Sequence, residues 1–265
     1  MKKDSETPNF PTFKPSNLQT FKPVCLTIAA SDTSGGAGIQ RDIKTFHDLG
    51  VDGLSVVTGI TAQTGNKVYY AQALPVEQVK IQLKTVLENY SISTIKIGVV
   101  FNKEIMECIS YYLKKCDMKN ILIDPILKAS DEYSFLDKES YAYMKDEFLK
   151  GANIITPNIP ELEKLSDLSI SNKEKLIFAA KKLSQKYDAY IFVKGGHFKG
   201  QSTITDYLIK GNKVDVFPSP NRHLSHIHGT GCLISSAIAA FFVQDFDIQT
   251  SITKAKDYFY SVILN

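Results

Sequence analysis

The stretch His228-Gly229-Thr230-Gly231-Cys232, which runs directly into an apolar segment at 233–243, decides how the rest of the chain is interpreted. Two glycines in a short turn before such a segment predict a loop that opens a buried helix. The first N–H groups of a helix have no partner within the helix, and with the helix dipole they favour an anion. We therefore expect this turn to hold a phosphate group, with Cys232 favoured as a thiolate in the first helical turn. An ordinary glycine turn followed by a buried cysteine fits the same residues equally well.

The length and composition indicate a single large globular domain. The chain has 265 residues, 43% of them hydrophobic, which is enough for one large α/β domain. The net charge is only +3, and the basic residues are interspersed with acidic ones, so we expect no nucleic-acid partner. Four cysteines without a Cys-x-x-Cys pair predict a reducing compartment. The sequence has no membrane-length apolar run and no signal-peptide core, so we expect a cytoplasmic protein without a membrane partner.

The first 23 residues differ in composition from the remainder. They are rich in proline, poor in aliphatic residues, and contain Thr-Phe-Lys-Pro twice, at 12–15 and 20–23. Such a segment buries too little apolar surface to offset the entropy of ordering it. We therefore predict a poorly ordered leader at 1–23 and a single folded domain at 24–265.

Strand-like and helix-like segments alternate along this domain. Residues 24–30 predict a buried strand, and a glycine loop at 34–38 then leads into a helix that Gly50 closes. Alternation at this spacing predicts a mostly parallel sheet covered by helices on both faces, with ligands at the carboxyl ends of the strands. The further predicted strands are 54–61, 94–100, 121–124, 153–156 and 189–194, and the further predicted helices are 75–90, 102–116, 138–149 and 172–187.

Two segments interrupt the alternation. Residues 203–209 and 213–217 flank Lys210-Gly211-Asn212 and predict a hairpin, which we assign to an antiparallel edge of the sheet. Residues 67–73 are extended and directly precede a helix, and we interpret them as a small flap near the mouth of the site.

Polar residues follow most of the predicted strands and would converge on one crevice. A crevice that combines carboxylates, a lysine and an anion-binding turn suits a nucleotide with Mg²⁺, because Mg²⁺ prefers carboxylate and phosphate oxygens and keeps several waters. Phosphoryl transfer is then the reaction class to test. The sequence contains neither a Walker-type phosphate loop nor Gly-x-Gly-x-x-Gly, so the late glycine turn would have to bind the phosphate. The residues concerned are Asp32, Asp42, Gln63, Asp124, Asn158, Glu161, and Lys194-Gly195-Gly196-His197.

Six motifs in order resemble one known family. They are Ala-Ala-Ser-Asp-Thr-Ser-Gly-Gly-Ala-Gly-Ile-Gln at 29–40, Ile-Thr-Ala-Gln at 60–63, Lys-Ile-Gly at 96–98, Asp-Pro at 124–125 with Ile-Thr-Pro-Asn-Ile-Pro-Glu at 155–161, Val-Lys-Gly-Gly-His at 193–197, and the turn at 228–232. This pattern resembles the hydroxymethylpyrimidine and phosphomethylpyrimidine kinases of thiamine biosynthesis, within the ribokinase-like fold. The resemblance implies a three-layer sandwich, phosphorylation with ATP and Mg²⁺, and a homodimer.

The resemblance also assigns roles to individual residues. It implies that Gly229, Thr230 and Gly231 form the anion hole, and that Cys232 faces the hydroxyl group being phosphorylated. A second transfer, onto an ionised phosphomonoester, needs no base, so we expect Cys232 to matter more in the first step. The other implied sets are substrate binding by Asp42, Gln63, Ala30, Val99 and Gly35, nucleotide binding by Asn158, Lys194, Gly196, His197 and His228, and metal binding by Asp124 and Glu161.

Bland alternatives remain open for several of these residues. Gln63 also fits a solvated loop amide, and Asp42 also fits an exposed acid in the first turns of a helix, although the substrate roles are favoured for both. Glu161 stands three residues after Asn158, which is the spacing of a capping box, and both roles can hold together. Lys194 fits a solvated lysine at the end of a strand.

The chain departs from the family pattern in three places. Lys-Ala-Ser-Asp at 128–131 lacks the usual glycine, His226-Ile227 replaces the usual Asn-Thr, and Ala30 stands where glycine is common. The altered loops at 128–131 and 225–228 keep open a non-catalytic ligand-binding protein on the same scaffold. A pyridoxal or pyridoxine kinase is also kept beside the pyrimidine kinase, because its substrate is likewise a small planar heteroaromatic ring with a hydroxymethyl arm. A zinc site at His223, His226 and His228 is not supported, because no further ligand completes a set at metal spacing.

Overall fold

A central β-sheet organises the protein. The computed structural model describes residues 22–129, 131, 133–195, 203–220 and 229–264. Its strands are β1 (Val24–Asp32), β2 (Asp52–Gln63), β3 (Val68–Ala73), β4 (Thr94–Ile97), β5 (Ile121–Ile123), β6 (Ile154–Ile155), β7 (Tyr190–Val193), β8 (Thr203–Lys210) and β9 (Lys213–Pro220). Within this described part the sheet has nine strands in the order β3-β2-β1-β4-β5-β6-β7-β8-β9. The inner six strands are parallel to one another, whereas β3 at one edge and the β8–β9 hairpin at the other are antiparallel.

Helices cover both faces of this sheet. They are α1 (Gly38–Asp48), α2 (Val76–Asn89), α3 (Lys103–Lys115), α4 (Lys138–Asp146), α5 (Ile159–Ser166), α6 (Lys173–Tyr187), α7 (Thr230–Phe242) and α8 (Ile248–Ile263). One buried cluster joins the sheet to α1, α7 and α8, and a larger one joins it to α2 through α6. In β5, Leu122 packs into the first cluster, while Ile121 and Ile123 pack into the second. This two-sided burial explains why the inner strands are apolar throughout.

The strand order places a crevice at the centre of the sheet. The chain winds outward from β1 in both directions, so the order reverses between β1 and β4. At such a reversal the connections leave the two strands on opposite sides, which opens a crevice at their carboxyl ends. The residues that follow β1, β4, β5, β6 and β7, and the start of α7, therefore all approach one place.

The predicted architecture is confirmed, with helix and strand ends shifted by a few residues. The hairpin is the antiparallel edge as expected. The segment at 67–73 is the opposite edge strand of the same sheet rather than a separate flap, and its residue Val68 pairs with Gln63. Residues 1–21 of the predicted leader lie outside the described residues. Among the described helices, none has both the length and the apolar character needed to span a bilayer.

Candidate active site

A cavity of about 220 Å³ lies at the carboxyl ends of the parallel strands. Its wall combines the ends of β1, β2 and β4, the segments that follow β5, β6 and β7, and the first turn of α7. Sequence-predicted residues that line it are Ala30, Gln63, Val99, Asp124, Asn158, Glu161, Lys194, Gly229, Thr230, Gly231 and Cys232. Eleven of the sequence-predicted site residues are thus brought together by the fold.

The glycine turn before α7 is built as an anion site. Gly229 is the N-cap residue of α7 with φ +79°, and no side chain caps the helix there. A Cβ on Gly229 would stand 1.7 Å from the carbonyl oxygen of Gly36, so only glycine fits between the two loops. The first N–H groups of α7 are consequently left to the cavity, and the positive end of the helix dipole favours an anion at this point.

Cys232 lies in the first turn of α7, 6% exposed, and lines the cavity as predicted. The pKa of its thiol is raised to about 11, chiefly by burial, with Asp42 and Asp124 reinforcing the shift and Lys96 and the Gly38 N–H opposing it. The expectation that the helix start would favour a thiolate is therefore wrong for this site. Desolvation of the sulfur outweighs the dipole, because the thiolate would sit out of water between two carboxylates.

Asp124 and Lys194 form an ion pair on the side of the cavity facing this turn. The Lys194 Nζ is 2.8 Å from Asp124 Oδ1, and the two side chains are 18% and 0% exposed. Thr156 and Ser235 also donate to the carboxylate of Asp124, each at 3.1 Å. A Cβ on Gly231 would be 3.5 Å from Lys194 Nζ, so the ammonium group stands directly beside the turn.

Glu161 lies where both of the roles considered for it are possible, the helix cap and the cavity wall. It forms the capping box of α5 with Asn158, through Glu161 Oε2 and Asn158 Oδ1, and it lines the cavity. Burial raises the pKa of its carboxyl to about 7, with Lys194 opposing and Asp124 reinforcing this shift. Its Oε1 makes no hydrogen bond with the described residues, so that oxygen is available to the cavity.

These carboxylates suit a cation that is shared with a phosphate. The described residues contain no group of three or more His, Cys, Asp or Glu that would hold a metal alone. Mg²⁺ needs only one or two carboxylates when substrate phosphates and waters complete its coordination. Asp124 and Glu161 therefore fit Mg²⁺ as a nucleotide-dependent ion rather than as a permanently bound one.

The opposite wall of the cavity is apolar. Ala30, Val99 and Phe101 form a small buried cluster, against which Ile126 and Phe135 pack. The rings of Phe101 and Phe135 meet edge to face with centroids 5.9 Å apart. Gln63 lines the cavity beside this wall. A flat ring fits between apolar side chains with one amide at its edge.

Two predicted substrate residues do not line the cavity. Asp42 is fully buried, and its carboxylate accepts hydrogen bonds from Thr27, Lys96 and Ser236. The implied grip of Asp42 on the ring, and its alternative as an exposed acid, are both contradicted by this placement. Helix α1 turns Asp42 away from the cavity into the packing with β1, β4 and α7. Gly35 is exposed in the loop before α1 and is likewise absent from the cavity wall.

The structure adds residues that the site prediction left out. Asp32, predicted with the other strand-end residues to reach the crevice but given no role by the resemblance, lines the cavity, and its carboxylate accepts from the Ser34 and Ala37 N–H groups. Lys96 could have been noticed as a lysine inside the short apolar strand β4. Phe135 carries no sequence signal, because a loop brings it to the cavity from a distance. Thr61, Ile126 and Lys128 also line the cavity. The predicted nucleotide residues Gly196, His197 and His228 lie outside the described residues.

A second cavity of about 270 Å³ adjoins the first on the other side of the turn. The two cavities share Asn158, Lys194, Thr230 and Gly231, so the anion turn stands between them. The remaining walls of the second cavity are largely apolar or aromatic, with one ion pair: Phe192, Ile234, Phe259, Tyr260, Asp206 and Lys256.

Solved structures with this architecture are small-molecule kinases. A phosphomethylpyrimidine kinase from Clostridium difficile 630 superposes with a TM-score of 0.81 at 33% identity, covering 91% of this chain and 100% of that one. The pyridoxal kinase from Staphylococcus aureus in complex with AMP-PCP and pyridoxal superposes with a TM-score of 0.82 at 26% identity, covering 92% of this chain and 89% of that one. Fold and cavity thus define a phosphotransferase with the ribokinase-like fold, as expected from the sequence.

The sequence comparison identifies the family. Residues 32–265 match the phosphomethylpyrimidine kinase family. The hydroxymethylpyrimidine/phosphomethylpyrimidine kinase of Aquifex aeolicus (strain VF5) is 36% identical over 242 residues, which are 91% of this chain and 94% of the relative. The chain belongs to the phosphomethylpyrimidine kinase family, and the resemblance drawn from the motifs is confirmed.

Proposed function

We propose that this protein uses ATP and Mg²⁺ to phosphorylate 4-amino-5-hydroxymethyl-2-methylpyrimidine, and then its monophosphate to the diphosphate, in thiamine biosynthesis. Family membership supports the kinase activity, and the activity for which the relatives are named supports these substrates. The single observation that carries the proposal is the anion turn at 229–232, which stands between two adjoining cavities. A phosphoryl group held there has an acceptor cavity on one side and a donor cavity on the other.

The first cavity suits the pyrimidine and the second suits the nucleotide. The apolar wall of Ala30, Val99 and Phe135 would cover the faces of the ring, and the Gln63 amide would read its edge. In the second cavity, Phe192, Ile234 and Phe259 offer an apolar surface for a nucleobase, while Asn158 and Lys194 stand at its phosphate end. A similar kinase is known in complex with AMP-PCP, which supports the use of a nucleotide as phosphoryl donor.

Transfer requires the substrate hydroxyl oxygen to form a bond with the γ-phosphorus while the bond from that phosphorus to the bridging oxygen of ADP breaks. Lys194 and the N–H groups of the turn are placed to stabilise the negative charge on the transferred group. Mg²⁺, held by Asp124 and Glu161 when bound, would supply further positive charge to the phosphates. The hydroxyl proton would pass to Cys232 in its ionised form.

A coupled assay of ADP release tests the proposal directly. We expect Mg²⁺-dependent ADP release with the hydroxymethylpyrimidine and with its monophosphate. A pyridoxal kinase is the second candidate, because pyridoxal kinases share the fold at TM-scores near those of the pyrimidine kinase. A clear preference for pyridoxal in the same assay would replace the first proposal by the second. Stabilisation by ligands without any ADP release would instead support a non-catalytic binding protein.

We further propose a cytoplasmic homodimer. The described cysteines are all free, in agreement with a reducing compartment. Three large apolar or aromatic side chains, Ile60, Tyr69 and Tyr70, are 46 to 66% exposed near the β3 edge of the sheet, where a second copy could cover them. Light scattering after size-exclusion chromatography would measure the mass, and a monomer at micromolar concentration would contradict the dimer.

A further inference from the structure

A second buried ion pair lies behind the cavity wall, and its members come from different parts of the fold. Lys96 on β4 donates to both oxygens of Asp42 on α1, at 3.0 and 2.8 Å, and both side chains are 0% exposed. Thr27 on β1 donates to Asp42 Oδ2 at 2.6 Å, and Ser236 on α7 donates to Oδ1. One carboxylate therefore ties two helices to two neighbouring strands.

Stability does not explain such a pair. Removing two charges from water costs more than their attraction usually returns, and replacement by neutral residues of similar volume is often neutral or stabilising. Buried pairs that persist are best attested where they fix one arrangement of the chain. We therefore ask which part of the structure this pair holds in place.

The pair fixes the start of α7. Ser236 stands one helical turn after Cys232, so its bond to Asp42 holds the first two turns of α7 against α1 and β1. Lys96 also lines the first cavity, whereas Asp42 does not. A Cβ on Gly98 would stand 3.0 Å from Lys96 Nζ, so the glycine leaves the room that the ammonium group occupies.

We propose that Asp42 and Lys96 are positioning residues for phosphoryl transfer: they hold the anion turn of α7 at the junction of the two cavities, and Asp42 does so without lining either cavity. The inference rests on the proposed kinase function and gives Asp42 a role different from the substrate contact that the resemblance implied. A displacement of about 1 Å in a group that holds the reacting atoms can cost about 100-fold in rate, which makes such support necessary.

The test compares the wild type with the double variant Asp42→Asn/Lys96→Met, which removes both charges and leaves neither buried alone. We expect kcat for ADP release to fall about 100-fold, with KM for the pyrimidine and for ATP within about threefold. Hydrogen exchange of the amides at 231–233 should become about tenfold faster. Thr94→Val is the matched control on the same strand, because Thr94 is buried, lies outside both cavities and has an unpaired hydroxyl. It should change neither kcat nor exchange.

Each outcome decides the point. An unchanged kcat with unchanged exchange in the double variant would show that the pair is only structural. A KM for the pyrimidine more than about tenfold higher at an unchanged kcat would restore Asp42 as a substrate contact, and either result overturns the inference. If the double variant does not fold, Ser236→Ala replaces it, with an expected five- to tenfold loss in kcat at constant KM. Absence of ADP release by the wild type would refute the proposed function alone, and the exchange measurement would still decide the positioning role.

Discussion

Two lysine–aspartate pairs stand on either side of the start of α7, and they differ in their access to the cavity. Lys96–Asp42 is sealed from solvent, at 0% exposure for both side chains, and only its lysine lines the first cavity, whereas Lys194 of the Lys194–Asp124 pair is 18% exposed and stands beside Gly231. For each lysine, burial alone would lower the pKa, but the aspartate partner raises it above its usual value, so both lysines are charged. The Lys96–Asp42 pair thus supports the start of α7, whereas the Lys194–Asp124 pair, made of the same residue types, faces the phosphate position.

This difference teaches that a buried charge acquires its role from what lies within its reach. The carboxylate of Asp42, on α1, bonds among the described residues only to groups on β1, β4 and α7, and it can act only through them. The ammonium group of Lys194 is partly exposed, so it can bind a phosphate oxygen while it remains close to Asp124. The variants below are ordered from the largest expected effect to the smallest, and each would break or sharpen the contrast.

Lys194→Met should have the largest effect. It removes the cation that faces the transferred group, and loss of one such preorganised group lowers kcat by about 100- to 1,000-fold. Steady-state ADP release with both substrates measures the change, and circular dichroism checks that the fold is kept. Lys96→Met alone leaves Asp42 as an unpaired buried charge away from the cavity and should lower the free energy of unfolding by about 3–5 kcal/mol. Lys194→Met should cost less stability, because Asp124 lines the cavity, where water can solvate its carboxylate. Equal losses of activity and of stability in the two variants would remove the distinction between the pairs.

Cys232→Ala should separate the two phosphorylation steps. We expect kcat with the hydroxymethyl substrate to fall about 100-fold, and kcat with the monophosphate to change less than about tenfold, because a phosphate oxygen is already ionised. In the wild type, the thiolate is the minor form below a pKa of about 11, so its fraction rises about tenfold per pH unit. The first step should accelerate with pH between about 7 and 9 while the second stays nearly flat. Equal pH slopes for the two steps would exclude Cys232 as the base.

Glu161→Gln should lower the activity and raise the stability of the protein at pH 8. The capping box is retained by glutamine, but Mg²⁺ would lose a carboxylate, so we expect kcat to fall about 10- to 100-fold. The folded carboxyl has its pKa raised to about 7 from 4.5, so the folded state binds the proton more tightly than the unfolded state. Wild-type stability should therefore decline as the pH rises from about 4.5 to 7, by roughly 3 kcal/mol. The variant should lack this decline.

Urea unfolding of both proteins in EDTA at pH 4.5 and pH 8 measures this effect. The variant should be the more stable protein at pH 8 and should match the wild type at pH 4.5. A wild type whose stability is unchanged between the two pH values would contradict the raised pKa of Glu161.

Thr27→Val and Thr156→Val give the finest test, since each buried threonine donates one hydrogen bond to one aspartate. Loss of a bond to a charged acceptor should lower the free energy of unfolding by about 1–3 kcal/mol in both variants. Only Thr156→Val should also lower kcat, by about tenfold, because it frees the carboxylate of Asp124 at the cavity. Thr27→Val should remain within about threefold of the wild type. A reversed order of the two kcat values would mean that the sealed pair is the one closer to the chemistry.

Most of the fold could be read from the sequence because its signals are local. The strands β1, β4 and β7 are marked by their own apolar residues. The helix caps are also local, because Asn102, Asn158 and Asn172 each accept a hydrogen bond from the N–H three residues ahead. Periodicity and cap residues act within one or two turns, so they survive in a single sequence without any contact information. The segment 67–73 was read only partly, because pairing with β2 is decided across the chain.

Site residues were predicted where a polar residue follows the end of a strand, and they were missed where tertiary packing decides which side chain reaches the cavity. Asp124 and Lys194 directly follow a strand, and Asn158 comes three residues after one, so the topology alone delivers them to the cavity. Phe135 reaches the same cavity from a loop, through contact with Phe101, and no periodic pattern marks it.

The sequence by itself determined the alternation of strands and helices, the anion turn before α7 and, through its ordered motifs, the family. Only the tertiary structure decided that Asp42 faces inward to Lys96 and that burial keeps Cys232 a thiol near neutral pH. The reason is physical: local conformation depends on neighbours along the chain, whereas burial and the field of distant charges depend on elements that meet only when the chain is folded.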